Sequence, residues 1–396
     1  MSISRAVADA QAGASWIRRM FEEGVRLKAR LGAENVADLS LGNPVVEPPA
    51  AVVERLVELA AAPDAGTHRY MPNAGYPSTR AAVAAHLARH TGVGYRGDDV
   101  VMTVGAGGGL NVVFKGLLDP GDEVIVLAPY FVEYRFYITN HGGRMVLVQT
   151  DSGFRPDVAA IDAAITEKTR AVLVNAPNNP TGVVYPAEDF DALAAVLTRR
   201  SAEQGRPIYL ISDEPYRAIA YDGIDVPWPV RHYADTIHVT SFSKDLALPG
   251  ERIGYVAVNP ERPDAAQLAG AFTFTNRILG FVNAPALQQR LVEGLLDVRV
   301  DLAGYAAKRL RLLEALQRHG YECVRPGGAF YLFPRVPRDG MDDVDFVKAC
   351  LEERLLVVPG SGFGRPGHVR LSYAVTDRDV DLACEALGRV AERVRG

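Results

Sequence analysis

A chain of 396 residues, 48% hydrophobic and 23% charged, has the make-up of an ordinary soluble globular protein, and at roughly 150 residues per domain it should form two or three domains. Fibrous, disordered and disulfide-scaffold classes fit this make-up poorly. Lys plus Arg number 43 against 48 Asp plus Glu, a formal net charge of −5, which is too balanced for a protein whose main task is to neutralise nucleic-acid phosphates.

The opening MSISRAVADAQAG has no apolar core of signal-peptide length. Apolar stretches further on are cut by Glu54, Glu58, Pro129 or Asn175 well before membrane-spanning length, so a cytoplasmic, non-membrane protein is expected. Helical spacing of apolar residues begins over 77–89. Short β-branched runs then alternate with helical patterns. The predicted strands are 100–104, 123–127, 145–148, 171–175, 208–212, 236–241 and 253–258; helices are predicted over 109–118 and 187–201, with Leu193, Val196 and Leu197 on one face of the latter. That alternation means α/β, with a seven-stranded, mostly parallel sheet between helices, and the nearly continuous apolar strands suit a sheet covered on both faces. This is the expected large domain, 46–290. A long helical stretch over 287–317 connects it to AFYLF at 329–333, a helix at 344–354, LLVVPG, HVRLSYA and a closing helix at 377–394. These make a smaller α+β domain over 291–396, with which residues 1–45 are grouped. Cys323, Cys350 and Cys384 are the three cysteines, with no C-x-x-C pair or His-rich tract beside them; a reducing compartment and no structural zinc follow.

The unusual residues fall at the carboxyl ends of predicted parallel strands: GAGGGL from Gly105, NAPNNPTG from Asn175, DEPY from Asp213 and SFSK from Ser241. In an open α/β sheet those ends line one crevice, so the four segments converge on a common ligand. A glycine-rich turn feeding a helix offers free N–H groups to a phosphate, although a tight turn alone also needs glycine. A dinucleotide fingerprint would need glycine where Leu110 stands, which weakens a nicotinamide reading. Lys244 follows a buried strand, where an amine is costly unless used or paired; a solvated loop lysine is the alternative. Ser241, Ser243 and Arg252 supply hydroxyls and a cationic fork suited to a phosphorylated cofactor. Asp213 reads as a helix or turn cap, or as a carboxylate that keeps a pyridine nitrogen protonated. Tyr216 and Asn179 read as packing and turn residues, or as groups that address the same ring.

Taken jointly these segments resemble the pyridoxal 5′-phosphate (PLP)-dependent, fold-type I aminotransferases of class I/II, in particular the bacterial aspartate aminotransferase-like enzymes. The likeness runs from LSLGNPVVEPP through RYMPNAGYP, PGDEVIVLAPYF, NAPNNPTG, SDEPY and SFSKDLALPGERIGY to PGGAFYLF and HVRLSYA. It implies that Lys244 forms the Schiff base with PLP and shuttles the proton, that Asp213 pairs the pyridinium nitrogen, and that Asn179 and Tyr216 hold the ring phenolate. The phosphate would be bound by Ala106 and Gly107 N–H groups, Ser241, Ser243 and Arg252, joined by Tyr70 from the other subunit of a homodimer. Phe131 would stack on the ring, and Arg370, with Gly42 and Asn179, would take the substrate α-carboxylate. The implied activity is ping-pong transfer of an amino group from an L-amino acid to a 2-oxo acid through pyridoxamine phosphate. Its rivals are other PLP enzymes on the same scaffold, such as a C–S β-lyase, a cyclopropane-carboxylate synthase or an oxidase. The resemblance also implies a lysine at the place Gly107 occupies, one that contributes to distal-carboxylate binding, so aspartate is an uncertain donor. Arg69, Arg135, Arg277 and His68 read as solvated or structural charges rather than substitutes for it. Tyr134, Phe136 and Tyr137 near the stacking position read as core residues, or as a wall that admits an aromatic or aliphatic substrate side chain.

Overall fold

The structure is a computed structural model and describes residues 3–12, 16–62 and 65–395. Helices α1 (Arg5–Ala12) and α2 (Trp16–Leu31) lead to strand β1 (Ala37–Asp38), then α3 (Ala50–Ala61) and α4 (Pro77–Thr91). The middle of the chain forms β2 (Val100–Thr103), α5 (Gly105–Leu117), β3 (Glu123–Ala128), α6 (Tyr134–Thr139), β4 (Arg144–Gln149), α7 (Val158–Ala164), β5 (Thr169–Asn175), α8 (Ala187–Gln204), β6 (Tyr209–Asp213), β7 (Thr236–Ser241) and β8 (Gly254–Val258). After α9 (Ala265–Ile278), α10 (Ala286–Glu293) and α11 (Ala303–Arg318) come β9 (Tyr331–Leu332), α12 (Asp343–Glu352), β10 (Leu355–Leu356), β11 (Val358–Pro359), β12 (Val369–Ser372) and α13 (Asp377–Arg395).

Strands β2 to β8 form one sheet in the order β2-β8-β7-β6-β5-β3-β4. Only β8 runs against the direction of the other six strands. The expected seven-stranded, mostly parallel sheet is thus present. Period-two alternation divides each strand between two cores. Val124, Val126, Leu173, Ile211 and Val239 pack with Leu110, Val113 and Phe114 of α5 and Phe272 of α9, whereas Ile125, Leu127, Val172, Val174 and Leu210 join Phe190, Leu193 and Leu197 of α8. Helix α4 starts on Pro77 and stops at Gly92, whose φ of 74° an L-residue adopts only with strain.

A three-stranded antiparallel sheet, β11-β12-β9, faces the carboxyl ends of the large sheet's strands across a cleft. Near the N-terminus, β1 pairs parallel with β10, Ala37 opposite Leu355, and Leu27 and Val36 pack on Leu356. No helix among the described residues is long and apolar enough to cross a membrane.

Three expectations change in detail. The helix expected over 287–317 is two helices, because α10 stops at Gly294 and the next eight residues run irregularly, burying Leu295 and Val300. The glycine-rich segment is no separate turn: helix α5 begins at Gly105, whose φ is 67°. Of AFYLF, only Tyr331 and Leu332 pair as strand, since the Ala329 N–H bonds to the Ile219 carbonyl and its φ of 53° bends the chain.

Candidate active site

The carboxyl ends of β2, β5, β6 and β7 meet at a cleft of about 280 Å³, closed from the other side by Gly42, by Tyr331 of β9 and by Arg370 of β12. Ala106, Gly107, Phe131, Asn179, Asp213, Tyr216, Ser241, Ser243, Lys244, Arg252, Gly42 and Arg370 all line it. Tyr70 does not; it is 92% exposed and lies outside the lining of its own chain's cleft. His68, Arg69, Arg135 and Arg277 are exposed and outside the lining, as solvated charges should be.

Asp213 ends β6 in register with Asn175 of β5. Asn175 fastens the two strand ends: its Nδ2 donates to the Asp213 carbonyl at 2.8 Å and its Oδ1 accepts the Asn179 N–H at 2.8 Å. The Asp213 carboxylate is buried, receives Tyr134 Oη on Oδ2 at 2.5 Å, and has no partner on Oδ1. Burial pushes its pKa up to about 7, against the Tyr134 hydrogen bond and with the help of Glu214 beside it. For Glu214 itself burial acts upward too, but Arg217, His238 and Ser212 outweigh it and bring that carboxyl down to about 2. Glu214 is a paired ion; Asp213 is a buried carboxylate still lacking a donor.

Arg370 presents the converse. It is 2% exposed, lies between the rings of Tyr331 and Phe363 at 4.8 and 4.9 Å, and donates to the Ser40 carbonyl at 2.6 Å and Asn179 Oδ1 at 3.2 Å. Its Nε has no partner, and no carboxylate among the described residues pairs with it. A buried guanidinium without an anion has the chemistry to take a carboxylate.

Lys244 lies in the same cleft, its Nζ donating to the Gly42 carbonyl at 2.9 Å. Burial first, then the charges of Arg252 and Arg370, hold its pKa down to about 8, so a deprotonated amine is accessible near neutrality. Gly42 can be nothing larger, because a Cβ there would stand 1.9 Å from Tyr331 Oη. That hydroxyl also lies 2.9 Å from Tyr216 Oη.

At the other end of the cleft, the first N–H groups of α5 meet Ser241, Ser243 and Arg252. Ser241 Oγ donates to Ser243 Oγ at 3.2 Å, and Arg252 is held at a φ of 54°, an uncommon conformation for a side-chain-bearing residue. A Cβ on Gly105 would meet Arg252 Nη2 at 2.8 Å, so glycine there lets the guanidinium approach the helix start. Helix N–H groups, two hydroxyls and a guanidinium make an anion site.

Sequence reasoning passed over three contributors. Asn175 was the one polar residue of an apolar strand, which was a signal. Tyr134 and Tyr331 carried none, because tyrosines packed in a core and tyrosines that hold a carboxylate or another phenol look alike until the distant partner is known.

The family described as aminotransferase class I and II matches residues 34–387. The aspartate/prephenate aminotransferase of Thermus thermophilus is 36% identical over 369 residues, covering 92% of this chain and 93% of that one. The aspartate aminotransferase of Bacillus subtilis is 32% identical over 91% of this chain and 92% of its own length. Among solved structures, an amino transferase from Eubacterium rectale superposes with a TM-score of 0.96 at 39% identity, with both chains fully covered. The Thermus thermophilus aspartate aminotransferase with maleate does so with a TM-score of 0.87 at 33% identity, over 98% of this chain and 100% of that one. The chain therefore belongs to the class I and II aminotransferases, transferases of the PLP-dependent fold type I.

Proposed function

We propose that this chain binds PLP in the cleft and transfers amino groups from an L-amino acid to a 2-oxo acid in a ping-pong cycle, with Lys244 as attachment residue and proton carrier. The observation that carries the reading is the pair of unsatisfied buried ions: Asp213 Oδ1 awaits a donor and Arg370 Nε an acceptor, with the Lys244 amine in the same cleft. The residues fit PLP at three points. Asp213 would hold a protonated ring nitrogen, Asn179 and Tyr216 the ring oxygen, and the start of α5 with Ser241, Ser243 and Arg252 the phosphate, while Phe131 would cover the ring face. Bound there, PLP supplies a sink for negative charge developing at the substrate's α-carbon. Arg370 and Asn179 orient the substrate through its α-carboxylate. Lys244 Nζ, with its pKa lowered, takes the proton from that α-carbon and returns one in the reverse half of the cycle.

The relatives are named for aspartate. In this chain the start of α5 carries Gly107 and no cation, and the cations in the lining are Lys244, Arg252 and Arg370. The reading is therefore of aminotransfer, with the donor set by the cleft's aromatic wall of Phe131, Tyr134 and Tyr137. The same reading divides the chain into a PLP-binding domain at 46–290 and a smaller domain of 291–396 with 1–45, pairs two chains through Tyr70, and places the enzyme in the reducing cytoplasm, which the three free cysteines support.

The test is an absorbance spectrum followed by a scan of single amino acids. A band at roughly 360–430 nm from a lysine–PLP imine is expected in the wild type, and this free-enzyme imine is lost in Lys244→Ala, which retains at most the aldehyde of non-covalently bound PLP. The amino acids that bleach it to the pyridoxamine form are the donors. No band after PLP is supplied refutes the reading, and pyruvate with ammonia in place of pyridoxamine phosphate makes the enzyme a β-lyase.

A further inference from the structure

Helix α4 carries His86 and His90 four residues apart, hence on one face. Their ring centroids are 4.4 Å apart. Asp297, from the irregular segment between α10 and α11, reaches the same place, with Oδ1 2.9 Å from His86 Nδ1 and 3.3 Å from His90 Nε2. Among the described residues this is the group of three His, Cys, Asp or Glu side chains whose ligand atoms converge, all within 4.8 Å of one another.

Asp297 Oδ1 is hydrogen-bonded to His90 Nε2, whereas its contact with His86 is not an ordinary hydrogen bond. His86 is 7% exposed, and although Asp297 lies close, its Nδ1 has no hydrogen-bond partner of proper geometry. An ion about 2.1 Å from Asp297 Oδ1 and from a histidine nitrogen would see the 2.9 and 3.3 Å nitrogen–oxygen separations at angles of about 90° and 105°, within the range of tetrahedral and octahedral coordination. The surroundings orient the ligands. Arg89 Nη2 donates to Asp297 Oδ2 at 2.7 Å, leaving Oδ1 for the histidines, and His90 is stacked on Trp228 at 6.4 Å. Such outer contacts fix ligand geometry. The site also has an entrance, since the His90 and Asp297 side chains are 46% and 60% exposed.

We propose that His86, His90 and Asp297 form a site for one divalent transition-metal ion, with the remaining coordination positions open to water. Two imidazoles and one carboxylate suit Zn²⁺, Co²⁺ or Ni²⁺, whereas Mg²⁺ and Ca²⁺ take oxygen ligands. The ion clamps α4 to the segment after α10. That segment's Val300 N–H donates to the Asp245 carbonyl at 2.9 Å, on the residue following Lys244, so an occupied site buttresses the lysine's loop from behind. An ion that binds only the folded chain raises its stability.

The experiment uses the holoenzyme treated with chelator and then dialysed. Zn²⁺ is titrated by calorimetry, Co²⁺ by its visible d–d absorption, and Tm is followed with added Zn²⁺. One ion per chain and a saturable rise in Tm are expected. His90→Gln and Asp297→Asn, both exposed and outside the cleft, should each weaken binding by at least about tenfold, remove the rise in Tm and leave turnover without added metal unchanged. His141→Gln should bind as the wild type does. Since replacing buried His86 risks the fold, the two exposed ligands carry the test. Absence of binding up to millimolar Zn²⁺, or equal affinity in all variants, overturns the proposal.

Discussion

Asp213 and Lys244 are both buried with their charges incompletely matched, and each therefore leans toward its neutral form: Asp213 is pushed up to about 7 and Lys244 down to about 8. For Asp213 the sign of the linked stability is opposite to that of a salt-bridged carboxylate. Between its unfolded value near 3.8 and its folded value near 7, the folded chain keeps a proton that the unfolded chain releases, so stability falls as pH rises through that window. That span corresponds to at most about 4 kcal/mol. In protein stripped of cofactor, thermal melts from about pH 5 to 8 should therefore show a decline in Tm that Asp213→Asn flattens. A donor placed on Asp213 Oδ1 removes the cause, so cofactor should flatten the same decline in the wild type. An identical pH slope in the stripped wild type and Asp213→Asn would show that Asp213 is not strained by burial, and would remove the argument that it waits for a ring nitrogen.

At the scale of elements, helix α5 is built to lie close on the sheet. A Cβ on Gly109 would stand 3.0 Å from Val239 of β7 and 3.1 Å from Val256 of β8, so a larger residue must lift the helix start and its N–H groups from the phosphate site. Gly109→Leu should cost about 1–3 kcal/mol of stability through overpacking and weaken PLP binding, measured by denaturant melts and equilibrium dialysis. Gly270→Ala in α9, where a Cβ meets nothing within 4 Å, should leave PLP binding alone and stabilise by about 0.5–1 kcal/mol. Equal PLP affinity in Gly109→Leu and wild type would detach the helix position from cofactor binding. The same glycines show what was legible beforehand. Buried strands of the large sheet announce themselves because each is an apolar run between polar ends, and the strand-end motifs announce the site because polar residues there have nowhere else to act. Strand direction was not legible: β8 has the same composition whether it runs with β7 or against it. Helix α9 was passed over because Ala, Gly and Thr blur its apolar stripe. The contacts of Tyr134 with Asp213 and of Tyr331 with Tyr216 join residues 79 and 115 positions apart, and no local pattern encodes a partner at that distance.

The whole molecule poses the question that one chain cannot answer by itself, because Tyr70 is 92% exposed and outside its own cleft. If it completes the phosphate site of a second copy, activity depends on which chain contributes which residue. Lys244→Ala should be inactive, and Tyr70→Ala should bind PLP about tenfold or more weakly through loss of a hydrogen bond to a charged group. Mixing the two variants under conditions that exchange subunits should restore activity. In a hybrid dimer, the site that keeps Lys244 belongs to the Tyr70→Ala chain and receives an intact Tyr70 from the Lys244→Ala chain. The other site lacks both residues. Each hybrid thus carries one complete site, and at PLP concentrations limiting for Tyr70→Ala alone, a fully exchanged equimolar mixture should approach a quarter of wild-type activity, half the dimers being hybrids with one working site each. Activity of the mixture equal to the plain sum of the two variants, with exchange verified by mass, would mean that Tyr70 serves no neighbouring site and that each cleft is complete within its own chain.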